Sequence, residues 1–169
     1  MTEKSPERYS PLMVSLHWLT VILLVLVYGL GLATRYLPAE NWQQYVKWHM
    51  PLGIAVLLVM VIRIVVRSRS TLPEPASAGN ELLDKVGVAT HHLLYVLAIL
   101  MPISGMLLSI SYGISPIQSA FIQSLRWVPT LHRIIAPTFG VVILLHIGAA
   151  FYHQLIRKDN LLARMWYGD

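Results

Sequence analysis

The chain has 169 residues, of which 56% are hydrophobic and only 12% charged, with a mean hydropathy of +0.59 and a net charge of +5. That balance is foreign to a soluble domain of this length and puts most of the chain in lipid. The absence of cysteine excludes disulfides, iron–sulfur clusters and every thiolate- or thioether-tethered cofactor.

Four apolar runs reach the roughly 20 residues that a bilayer-spanning helix needs: 12–34, 46–66, 82–110 and 130–156. The first is too long for the core of a cleaved leader and three more spans follow, so no cleavage is expected. The expectation is an all-α integral membrane four-helix bundle, a single domain over 1–169. Between the first two runs lies a short loop at 38–44. The linker 67–80 contains Pro73, Pro75, Ser77 and Gly79 and reads as irregular. The connection 112–129 includes an apolar stretch, 117–122, suited to a short interfacial helix. Pro102 and Pro137 fall inside the third and fourth spans, where neighbouring helices can satisfy the freed carbonyls.

Lys and Arg set the orientation. Lys4, Arg8, Arg63, Arg67, Arg69, Lys85, Arg157, Lys158 and Arg164 fall on the side of the two termini, against Arg35, Lys47, Arg126 and Arg133 on the other. The positive-inside rule therefore predicts both termini in the cytoplasm. The basic charge reflects topology and gives no support to nucleic-acid binding. Trp42, Trp48, Tyr112 and Trp127 at the outer ends, with Trp166 and Tyr167 beyond the inner end, form the expected aromatic belts.

Every span carries histidine: His17, His49, the pair His91 and His92, and His132, His146 and His153 in the last. One buried histidine is ordinarily structural, but ionisable groups are costly in membranes, and seven in a small bundle point to function. By depth, His49 and His132 lie in the outer half and the other five in the inner half. Zinc would want three or four ligands close together, and the outer half offers two. A bis-histidine pair on different helices suits axial ligation of b-type haem. His49 and His132 would hold an outer haem. His146, 14 residues and about 21 Å along the same helix face from His132, is the natural fourth-span ligand of an inner one. Its partner on this reasoning is His17, His91 or His92. Gly53, one turn after His49, admits either a porphyrin edge or close helix packing. Arg63 faces the inner layer, as a propionate partner or as a snorkelling, topology-setting arginine.

The blocks Ser15-Leu16-His17-Trp18-Leu19, His49-Met50-Pro51-Leu52-Gly53 running to Arg63, His91 ahead of Leu100-Met101-Pro102-Ile103-Ser104-Gly105, His132 to His146 to His153, and Arg157-Lys158-Asp159-Asn160-Leu161-Leu162 resemble the bacterial cytochrome b561 family over nearly the whole chain. The resemblance implies a di-haem cytochrome of the bacterial inner membrane that exchanges electrons with ubiquinone. It implies His17 and His146 as axial ligands of the inner haem, His49 and His132 as those of the outer haem, and His91 and His153 at the quinone. His92 matches no family position. The donor so implied is superoxide at the periplasmic face, drawn to a basic outer rim. The alternative is a haem-bearing anchor that takes electrons from a partner dehydrogenase or hydrogenase.

Overall fold

The computed structural model describes residues 8–117 and 119–167; Lys4 of the inner charge set lies outside them. Among the described residues four helices are long and apolar enough to cross a membrane: α1 (Pro11–Tyr36), α2 (Trp42–Ser68), α3 (Glu81–Ser111) and α5 (Val128–Phe151). The last continues through a π-helical turn, Tyr152–Arg157. Between α3 and α5 lies a short α4 (Ala120–Ser124), and a 3-10 turn, Leu161–Met165, closes the chain. Among the described residues there is no strand. The protein is a multi-pass membrane helix bundle.

Local chemistry sets the helix ends. Ser10 caps α1 by accepting from the Met13 N–H, and Pro11 opens the helix where a missing N–H costs nothing. Asn80 caps α3 through the N–H groups of Leu82 and Leu83, with Glu81 and Asp84 complementing the positive end of the helix dipole. Ser119 does the same for α4 at the Ile122 N–H. That cap shifts the short helix towards the C-terminus of the expected stretch and leaves Ile117 outside it. The loop expected at 38–44 is mostly helical: a 3-10 turn, Ala39–Asn41, feeds α2 four residues earlier than the apolar run begins. Hydropathy alone cannot see this turn, because Trp42 to Tyr45 are polar or amphipathic yet good enough helix formers. Pro51, as well as Pro102 and Pro137, sits inside a helix.

The bundle is built from two closely packed pairs, α1 with α2 and α3 with α5, joined along α2 and α3. Helix α5 meets α1 and α2 through side chains, with little close backbone approach. Val27, Val56, Met60, Leu97, Ala98, Phe139 and Val142 form the buried core at mid-height. Most other apolar side chains face outward, Val25 and Leu144 being 68% and 69% exposed, as lipid-facing residues must be. Phe139 lies seven residues from both His132 and His146, so the core separates two histidine levels by about 10 Å on each side.

The first and last described residues, Arg8 and Tyr167, lie at one end of the bundle, called here the terminal side. The C-terminal segment folds back onto α1 there. The Tyr9 N–H donates to the Arg164 carbonyl at 3.2 Å, the Trp18 indole N–H to the Met165 carbonyl at 2.8 Å, and the Ser15 and Tyr167 hydroxyls pair at 2.7 Å. Trp166 packs edge-on against Trp18, so this aromatic pair ties the tail down.

Candidate haem sites

The far level of histidines is formed by His49 of α2 and His132 of α5, whose ring centroids are 6.4 Å apart. At the terminal level His17 of α1 and His146 of α5 are 6.5 Å apart. Two imidazoles bound on opposite sides of one metal, with nitrogen–metal bonds of about 2.0–2.1 Å, have centroids about 6.4 Å apart. Both pairs therefore have room for one iron between their rings. Among the described residues no group of three or more His, Asp or Glu converges as a metal site. A metal that brings its own four equatorial nitrogens, as haem iron does, needs only two protein ligands.

Hydrogen bonds at the far level orient the rings. His49 Nδ1 lies 2.9 Å from the Val27 carbonyl of α1, which can only accept, so Nδ1 carries the proton and Nε2 presents its lone pair. The contact needs Gly31, since a Cβ there would stand 3.1 Å from the His49 ring. His132 Nδ1 lies 2.9 Å from the Ser104 hydroxyl. Ser104 spends its own proton on the Met101 carbonyl, so it accepts from His132 and again leaves Nε2 bare. Gly105 gives the ring its space, a Cβ there meeting it at 3.2 Å. Metal-bound histidines need this arrangement, with the second nitrogen held by an acceptor. Gly53, by contrast, faces open space within 4 Å, which leaves room for a flat group beside His49.

The terminal level is more crowded. His91 of α3 packs on His146 at 5.0 Å, closer than an iron between them would allow, and its Nδ1 donates to its own helix at Gly87. His17 Nδ1 accepts from the Arg63 guanidinium at 3.0 Å. Arginine only donates, so this contact puts the His17 proton on Nε2, and His17 presents a lone pair there only once Arg63 lets go. Arg63 has reason to do so: its guanidinium lies over Tyr95 at 5.5 Å, and its Nε is buried without a partner. A buried, incompletely satisfied cation beside an imidazole is what a propionate would complete. The residues at both levels thus fit haem.

The remaining histidines diverge. His153 is buried and paired with Asp159 at 2.5 Å. His92 turns away from His146 to line an open cleft of about 510 Å³ with Pro75, Ser77, Glu81, Asp84 and Lys85. Ser104, Gly31, Gly105 and Tyr95 escaped the sequence reading as site residues. The signal for Ser104 was present, a serine followed by glycine two residues past a helical proline in an apolar span, but its partner lies on another helix.

The family model described as prokaryotic cytochrome b561 matches residues 8–168. The chain is 30% identical to the probable superoxide oxidase CybB of Yersinia pestis, over 94% of this chain and 96% of that protein. It is 29% identical to cytochrome b562 of Cereibacter sphaeroides, covering 93% and 94%, and 24% identical to cytochrome b561 homolog 1 of Escherichia coli K12, covering 94% and 97%. Four membrane-crossing helices, two facing histidine pairs and a match along nearly its whole length make this chain a member of the prokaryotic cytochrome b561 family, a haem b membrane protein of electron transfer.

Proposed function

We propose that this protein carries electrons from superoxide at the far side of the bacterial inner membrane, through two haems b, to ubiquinone near the terminal side, with both termini in the cytoplasm. The observation that carries the reading is the pair of histidine levels, 6.4 and 6.5 Å between rings, set 14 residues apart on α5. In this reading His49 and His132 would hold one haem and His17 and His146 the other. Haem b supplies a one-electron iron couple, which suits a donor that gives single electrons.

The protein's own residues do the rest. Val27 and Ser104 hold the far-level rings in the ligating tautomer. Arg63 serves a propionate at the terminal level, where its guanidinium already reaches His17. Val56, Met60, Phe139 and Val142 keep the space between the levels dry. Exposed Arg35, Lys47, Arg126 and Arg133 give the far rim a positive field that draws in a small anion. His91, exposed at its surface, and His153 serve the quinone, whose reduction takes up protons that an imidazole can deliver. Likeness to a probable superoxide oxidase supports superoxide as donor.

The test is stopped-flow mixing of the purified protein with superoxide in the presence of ubiquinone-1, following haem reduction and ubiquinol formation. Haem reduction by superoxide followed by ubiquinol formation is expected. If superoxide leaves the haems oxidised while a partner dehydrogenase or hydrogenase reduces them, the chain is an electron-transfer anchor instead.

A further inference from the structure

The C-terminal end of α5 carries a pair of groups that the electron path does not use. His153 lies seven residues, two helical turns, beyond His146, at the start of the π-helical turn. Beyond that turn Lys158 and Asn160 both adopt left-handed backbone, with φ of 56° and 58°. For lysine this is uncommon, and such conformations persist where the surroundings impose them. Their effect is to fold Asp159 back, so that its Oδ2 lies 2.5 Å from His153 Nδ1. The Leu161 N–H donates to Asp159 Oδ1 at 3.2 Å and completes the hold on the carboxylate.

The two side chains differ in access to water. His153 is 10% exposed within a membrane-crossing helix, whereas Asp159 is 32% exposed beyond its end. The dyad therefore runs from the aqueous phase on the terminal side to a buried imidazole in the half of the bundle that holds His17, His91 and His146. Tyr152, with its ring 5.9 Å from that of His153, and Arg164 of the last turn also bear on the pair. Burial alone would raise the Asp159 carboxyl, but the hydrogen bond and charge of His153, the Leu161 N–H and Arg164 outweigh it and hold it below the usual carboxylate range.

We propose that His153 and Asp159 form the proton-delivering dyad of quinone reduction, Asp159 being the water-side carboxylate that orients His153 and supports its protonated form. The proposal rests on the ubiquinone reading above and names the residue that feeds protons to it. Reduction of one ubiquinone to ubiquinol consumes two electrons, from two superoxide anions oxidised to two O2, and two protons from water. For each proton, His153, whose Nδ1–H is held by the Asp159 carboxylate across the 2.5 Å contact, takes a proton from water at Nε2 to become an imidazolium and gives it to a quinone carbonyl oxygen, turning C=O into C–O–H. The imidazole is left with its proton on Nδ1, the tautomer that the carboxylate holds, ready for the next proton. Asp159 is thus a positioning residue that does not touch the quinone.

Asp159→Asn separates this role from a structural one, because the amide oxygen can still accept a hydrogen bond while the side chain carries no negative charge. In the purified haem-loaded protein with ubiquinone-1, haem content, visible spectrum and quinone KM should stay at wild-type values. The turnover number should fall at least about tenfold near about pH 8, with the deficit narrowing as acid supplies His153 directly. Asp159→Glu should restore most of the rate. Independently of turnover, the infrared pH-difference spectrum of the oxidised protein without acceptor should contain a carboxyl band that Asp159→Asn lacks. Wild-type turnover of Asp159→Asn at every pH overturns the dyad's role. So does loss of haem or a raised KM in both Asp159→Asn and Asp159→Glu, which would make the pair structural. Wild-type protein that passes no electrons to ubiquinone-1 overturns the acceptor reading itself, a result obtained before any variant is made.

Discussion

Ser104 on α3 accepts a hydrogen bond from His132 on α5 at 2.9 Å, and it can only accept, because its own proton is committed to the Met101 carbonyl. The serine is 2% exposed, so no water replaces it. Ser104→Ala leaves a buried N–H without a partner, at a cost of about 1–3 kcal/mol. Outer-shell losses of this kind weaken metal binding by about 10–100-fold. Haem titration of the apoprotein should show that weakening at one of two sites, and Ser104→Thr should recover most of it. Unchanged affinity at both sites would remove Ser104 from the haem scheme.

Stoichiometry follows from the two levels. Purified protein should contain two haems b per chain, both released by acid extraction because no cysteine tethers them. His49→Ala and His132→Ala should each lower the pyridine haemochrome ratio from about two to about one, since each level has its own ligand pair. A wild-type ratio near one sinks the two-level scheme.

His17 and His91 both approach His146, at 6.5 and 5.0 Å. Only the longer spacing has room for an iron with nitrogen bonds of about 2.0 Å on both sides. His17→Ala should therefore lose the terminal-side haem, while His91→Ala keeps both haems and slows ubiquinone reduction. The reverse outcome exchanges their roles.

The far rim matters only for a charged donor. Screening shortens its reach to about 10 Å at roughly 0.1 M salt, so haem reduction by superoxide should slow as ionic strength rises. Replacing Arg126 and Arg133 by glutamine should flatten that dependence with both haems still bound. Electron transfer to neutral ubiquinone-1 should be nearly indifferent to salt. Salt-independent reduction by superoxide would remove the rim from the mechanism.

Four spans and the depth of each histidine were legible in the sequence, because lipid imposes a length of apolar chain and a helix converts residue number into height. The same arithmetic placed His132 and His146 on one face and Arg63 level with the terminal histidines. It could not say which histidine stands opposite His146, because periodicity assigns faces along one helix and is silent on which helices become neighbours. The packing of α1 on α2 and of α3 on α5 decided that, setting His17 at 6.5 Å and His91 at 5.0 Å and turning His92 away. Tertiary structure alone also supplied the contacts between distant residues: the Val27 carbonyl on His49, Ser104 on His132, Arg63 on His17, and the C-terminal tail on Trp18. A buried polar group must find its partner wherever the fold brings one, and sequence distance carries no trace of that choice.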